Sequence, residues 1–189
     1  MSTFLRTGTV LLLLCAQAAL AQQPPLSSGY QCERFLQALP VMKTPEMLAA
    51  YGKPDATLET VLEQLNALAT AGNGDAQYAV GRMMQHGVCA ERNTAGALAY
   101  LTRAAESGVP AAQQVLAEAY FGGTETSATN RLDIPADPVR SYMWFRVLGN
   151  QPAVVEVRKR MVPTEVDEAE RLASQQLARQ RGRIPAPEK

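Results

Sequence analysis

The sequence predicts an all-α fold, an α-solenoid of antiparallel helix hairpins with two recognisable repeats and flanking capping helices. Residues 72–87 and 108–123 resemble each other position by position at a spacing of 36 residues. Each of these segments is followed by a second helical pattern. Small residues recur at mid-helix positions, where a neighbouring helix would have to come close. Helix pairs that repeat with a period of 20–50 residues are typical of solenoids.

The first helix of each repeat carries the self-similarity. Glycine inside a helix usually destabilises it by about 1 kcal/mol relative to alanine. Gly81 therefore indicates a neighbouring helix at that point, and the many alanines of 108–123 have the same explanation. The matched pairs are Gly72 and Gly108, Ala76 and Ala112, Gln77 and Gln113, Val80 and Leu116, Gly81 and Ala117, Met84 and Tyr120, and Gly87 and Gly123.

The second helix of each repeat begins at a capping residue. Asn93 matches Asp137 as a helix-start residue, and Tyr100 matches Trp144. The spacing here is 44 residues, so the second copy has eight extra residues. They fall in the inserted segment 124–136, which is polar and predicts a loop.

The flanking segments predict further helices. Residues 22–71 contain helical patterns expected to pack on the solenoid, and its two repeats span 72–152. Residues 153–179 predict a closing pair of capping helices. The last segment, 180–189, predicts a disordered tail.

The segment "GDAQYAVGRMMQHGV", followed by a polar loop and "ALAYLTRAAESG", resembles the Sel-one-like repeat, a relative of the tetratricopeptide repeat. The resemblance covers about residues 72–152. Met84 in place of an aromatic residue, Ala117 in place of glycine and the insertion depart from the family pattern. The resemblance implies a non-enzymatic adaptor or scaffold of the bacterial cell envelope, or an immunity-type binder of a toxin. Fold alone does not fix function.

The first 21 residues have the layout of a secretory signal peptide. Arg6 precedes an apolar stretch at 10–20, and Ala19-Leu20-Ala21 provides a small-x-small cleavage site. Cleavage there would start the mature chain at Gln22 and export it to the periplasm or beyond the cell. In the alternative interpretation Cys15 is a lipidation cysteine. The apolar stretch is too short to span a membrane.

The charge balance narrows the class of partner. Without residues 1–21 the chain carries 17 basic and 18 acidic residues. This balance gives no long-range attraction to nucleic acid or anionic membrane.

The two remaining cysteines, Cys32 and Cys89, suit a disulfide in an oxidising compartment. Such a bridge would be worth about 4 kcal/mol by loop closure, and the alternative is two separate buried thiols.

Catalytic and metal-binding patterns are weak in this sequence. His86 is the only histidine, and Cys89 three residues later raises a Cys–His nucleophile hypothesis. Glu118 and Glu125 are possible acid–base carboxylates. One histidine and two distant cysteines do not make a zinc ligand set, and the sequence predicts no cofactor. An envelope enzyme acting on cell-wall material is the alternative to a binding module.

If the matched small and large positions face the core, the remaining positions of the two first helices face outward. These positions combine aromatic and arginine side chains, a composition that protein interfaces favour. The sequence therefore predicts another protein as the partner and leaves the oligomeric state open. The predicted partner-binding residues are Gln77, Tyr78, Arg82, Gln85, Gln114, Glu118 and Phe121.

Overall fold

The computed structural model describes residues 28–44, 47, 57–123 and 131–183, so the predicted signal peptide and Cys15 lie outside it. Within these ranges the chain forms α-helices and one 3-10 turn at Pro40–Lys43, and no strands, which confirms the all-α prediction. The helices are α1 Ser28–Ala38, α2 Leu58–Thr70, α3 Gly74–His86, α4 Thr94–Ser107, α5 Pro110–Gly122, α6 Pro138–Leu148, α7 Gln151–Arg158 and α8 Pro163–Arg183.

Short polar side chains begin the second helix of each repeat. Asn93 Oδ1 accepts a hydrogen bond from the Gly96 N–H at 2.8 Å, and Asp137 Oδ1 accepts one from the Arg140 N–H at 2.9 Å. Such caps satisfy amide donors that the first helical turn leaves free. The helix starts predicted at these two residues are confirmed.

The helices stack in chain order. Helices α3 and α4 form the first hairpin and α5 and α6 the second, and α4 packs on α5 to join them. Helix α2 packs on α3, and α6 packs on α7. This succession of neighbours is that of an α-solenoid.

Close approach explains Gly81. A Cβ atom at this position would lie 2.9 Å from Leu101 Cγ and 3.2 Å from the Leu101 backbone nitrogen. Helices α3 and α4 therefore meet here at a distance that only glycine allows. At the equivalent position of the second repeat, Ala117 is fully buried and its carbonyl accepts a 2.9 Å hydrogen bond from Ser141 Oγ.

The last helix does not form a closing hairpin with α7. Helix α8 packs on α6, where Tyr142 Oη donates a 2.7 Å hydrogen bond to Glu170 and Arg146 forms a 3.2 Å ion pair with the same carboxylate. Near its end α8 reaches α4, because Gln176 donates to the Glu106 carbonyl at 2.9 Å. The helix continues to Arg183, beyond the start of the tail predicted at 180.

The described part of the inserted loop, residues 131–136, is attached to the first repeat. Leu132 and Ile134 are buried. Arg131 Nη1 donates to the His86 carbonyl at 3.1 Å, and Asp133 forms a 3.0 Å ion pair with Arg92. The insertion therefore bridges the two repeats across the end of α3.

A disulfide joins Cys32 on α1 to Cys89 in the loop after α3. The bridge predicted from the cysteine pair is thus present, and it fastens the first helix to the first repeat. No helix of the described residues is long and apolar enough to cross a membrane.

Candidate functional site

Three of the predicted partner-binding residues are buried. The exposed fractions of Gln77, Tyr78 and Gln85 are 6%, 4% and 0%. The prediction that these three side chains face outward is wrong. Helix α3 has helices packed on two sides of it, α2 and α4, and the 3-10 turn contacts it as well, so little of its surface remains free.

Gln77 has a structural contact instead. Its Nε2 donates to the Ala69 carbonyl at 3.2 Å, and Gln113 Nε2 donates to the Ala105 carbonyl at 3.0 Å. Each glutamine thus adds a side-chain hydrogen bond to a carbonyl in the last turn of the preceding helix. The recurrence of glutamine at a spacing of 36 was the signal of this role.

The other polar residues of α3 form a local cluster. Arg82 Nη1 donates to Gln85 Oε1 at 2.8 Å, and the arginine is half-buried. Burial raises the pKa of the Tyr78 hydroxyl. Among the described residues, buried Arg82 Nε and His86 Nε2 have no hydrogen-bond partner.

The predicted residues of α5 remain accessible. Glu118 is exposed, and Gln114 and Phe121 are half-buried. Gln114 Nε2 donates to Glu118 Oε1. Arg160, which follows α7, lies over the Phe121 ring at 4.1 Å from its centroid. We call these four residues, Gln114, Glu118, Phe121 and Arg160, the α5 surface.

A groove lies between α4, α6 and α8, with a volume of about 490 Å³. Sequence reasoning missed it, because it depends on how α8 returns to α4. The groove is lined by apolar residues (Leu98, Met143, Trp144 and Leu172), by Tyr120, by uncharged polar residues (Thr102, Gln175 and Gln176) and by charged residues (Glu106, Arg140 and Arg179). We call this the α8 groove.

The candidate nucleophile is not a free thiol in this structure. Cys89 is disulfide-bonded to Cys32, so it cannot act with His86 as a Cys–His pair. Burial, together with the charges of Arg82 and Arg131, lowers the pKa of His86 to about 4. The His86 ring lies 5.5 Å from the Phe35 ring. In the described part of the chain no three metal-ligating side chains cluster. Glu125 lies outside the described residues.

The stacked helix hairpins define a solenoid repeat protein. Within it, the Sel1 repeat family model matches residues 74–109 and 110–147. The chain contains two Sel1 repeats at these positions, which confirms the resemblance expected from the sequence.

A solved structure shares the fold. The crystal structure of a protective antigen from uropathogenic Escherichia coli, which displays an SLR fold, is similar to 76% of this chain at 20% identity and a TM-score of 0.54. The match covers 33% of the antigen, so this chain spans about a third of that protein's length. No curated protein matches the sequence.

Proposed function

We propose that this protein is an exported, non-enzymatic protein–protein interaction module that acts as an adaptor or scaffold in the bacterial cell envelope. The Sel1 repeats support protein binding. We place the binding site on the α5 surface because Arg160 lies over the Phe121 ring there. This pairing keeps a cation over an aromatic ring that is only half-buried.

The α5 surface has the chemistry of a protein contact. Aromatic residues and arginine are enriched among the side chains that carry most binding energy. The hydrogen bond between Gln114 and Glu118 and the cation–π contact between Arg160 and Phe121 hold all four side chains in place before binding. Pre-ordered side chains lose less entropy on association. Arg82, at the position of α3 equivalent to Glu118, extends this surface in the proposal.

Export is supported by two features. Residues 1–21 have the pattern of a cleavable leader, and the Cys32–Cys89 disulfide suits an oxidising compartment. Intact-mass analysis of the protein isolated from the envelope fraction is expected to give a chain that starts at Gln22. A chain lipidated at Cys15, or an uncleaved chain in the cytoplasm, would contradict this part of the proposal.

Site-specific photo-crosslinking in the native envelope tests the binding function. A photoreactive residue at position 118 is expected to capture one protein in defined stoichiometry, whereas the same residue at Arg103 on α4 is not. Arg103 is a matched control, because it is exposed and also lies near an aromatic ring, that of Tyr100. Arg160→Glu is expected to abolish the crosslink from position 118.

Equal crosslinking from positions 103 and 118, or none from 118 in any growth condition, would contradict the proposed α5 surface. Capture of a secreted toxin would identify the protein as an immunity-type binder. Capture of an envelope component would identify it as a scaffold.

The alternative, an enzyme acting on wall material, is tested with His86→Gln and Glu118→Gln. If the unchanged protein turns over wall fragments and either substitution abolishes this activity, the enzyme hypothesis would be favoured.

A further inference from the structure

We infer that the α8 groove is a second binding site, which takes an extended peptide segment of a partner carrying an acidic side chain beside an apolar one. The inference rests on the proposed protein-binding function but uses different residues from the α5 surface.

The lining combines a fixed floor with accessible apolar side chains. Trp144 and Tyr120 are buried, whereas Leu98, Met143 and Leu172 are half-buried and retain apolar surface toward the groove. Clefts of about 300–1,000 Å³ with apolar walls and few polar groups are typical binding sites, and the volume of about 490 Å³ falls in this range. An apolar side chain of a partner would bury that surface.

The charged groups of the groove favour an acidic partner. Arg140 and Arg179 line it against one carboxylate, Glu106. Arg140 already pairs with Asp137 at 3.3 Å. Arg179 is exposed and, among the residues that the structure describes, has no hydrogen-bond or ion-pair partner. A partner's carboxylate would give Arg179 the charge-assisted hydrogen bonds it lacks.

The length of the groove suits a short extended segment. Along α4 it runs from Leu98 to Glu106, which is about 12 Å at the helical rise. An extended chain covers this length with about four residues.

The walls are rigid enough to present such a site. Gln176 and Gln180 on α8 donate to the carbonyls of Glu106 and Ala105 at 2.9 and 3.3 Å. On the other side, Arg146 and Tyr142 of α6 bind Glu170 of α8. The groove is therefore formed before a ligand arrives.

Selection from a display library of random twelve-residue peptides, fused at their carboxyl ends so that every free carboxylate is a side chain, tests the inference. The enriched peptides are expected to carry Asp or Glu within three residues of Leu, Ile, Met or Phe. Arg179→Glu is expected to weaken binding of a selected peptide about tenfold, because a like charge replaces the pairing cation. Arg181→Glu, an exposed arginine of the same helix outside the groove, is expected to leave binding within about twofold.

A second pair of variants separates the groove from the rest of α8. Gln175→Trp is expected to block peptide binding by filling the groove, whereas Ser174→Trp is not. Because both positions are exposed, thermal unfolding is expected to stay unchanged.

Three results would overturn the inference: selection of no peptide, selection of a basic or purely polar consensus, and equal effects of the two arginine variants. Arg160→Glu leaves peptide binding unchanged if the two sites are separate. Loss of peptide binding with this variant would assign the peptides to the α5 surface and overturn the groove.

Discussion

The side chain of Gln113 is bonded to the backbone carbonyl of Ala105, eight residues earlier, and the same bond joins Gln77 to Ala69 one repeat upstream. Each bond connects the start of one repeat to the end of the preceding helix. The Gln113 bond joins the two repeats and the Gln77 bond joins the first repeat to α2, and both glutamines are buried.

Replacing Gln113 by methionine, which has a similar volume and no donor, is expected to lower the free energy of unfolding by about 1–2 kcal/mol, because the replacement removes a hydrogen bond from a buried carbonyl. Gln77→Met is expected to have a similar effect. Urea denaturation monitored by circular dichroism measures the change. Exposed Gln37 on α1 offers the control, and a loss in Gln37→Met as large as in the other two would contradict the role assigned to the buried pair.

Gly81→Ala is expected to destabilise the protein, although alanine normally favours a helix by about 1 kcal/mol. The added methyl group would meet Leu101 at 2.9 Å and force α3 and α4 apart. Gly182→Ala on α8 is the matched control, since a Cβ there has no atom within 4 Å among the described residues. If the thermal unfolding temperature of Gly81→Ala equals or exceeds that of the wild type, the two helices do not meet here.

Stability is expected to fall as the pH drops from 6.5 towards 4. The pKa of His86 is lowered from 6.5 to about 4 in the folded state by burial and by neighbouring arginines. Between these values the unfolded chain binds the proton more readily, so protonation favours unfolding. The contribution is fully present above pH 6.5, and the loss levels off below about 4.

His86→Gln removes this titration, and no other histidine is present to mask it. Chemical denaturation at pH 7, 5.5 and 4.5 is expected to show a steeper loss of stability in the wild type than in the variant. Carboxylates titrate in both proteins and cancel in the difference. Parallel pH profiles would mean that His86 has an ordinary pKa.

The disulfide is expected to leave no free thiol in the denatured, unreduced mature protein. Cys32 and Cys89 are 57 residues apart, and closing a loop of this length is worth about 4 kcal/mol in the chain-entropy model. The Cys32→Ser and Cys89→Ser double variant is expected to lose stability of that order in urea denaturation. Two titratable thiols per chain would exclude the bridge.

The sequence was sufficient to predict the helix hairpins and their order, because capping and close packing are local signals that recur in each repeat. Asn93 and Asp137 begin helices through their own side chains, and Gly81 marks the contact with Leu101. The repeat spacing then determines which helices are neighbours.

The faces of the helices were harder to predict. Assigning only the small and large matched positions to the core left Gln77, Tyr78 and Gln85 outside, yet eight of the 13 residues of α3 are buried. Helix α5 has six of 13 buried, and its predicted residues stay accessible. The α8 groove depends on a contact between residues 70 positions apart, Gln176 and Glu106, which no local pattern encodes.

The return of α8 to α4 has a consequence for how the two repeats unfold. An ordinary repeat array is held by contacts between adjacent units only, so units can be added or lost at an end. Here the final helix is fastened to both hairpins, and a further unit inserted after α6 would displace it. We therefore expect the two repeats to unfold in a single cooperative step rather than to fray from α8.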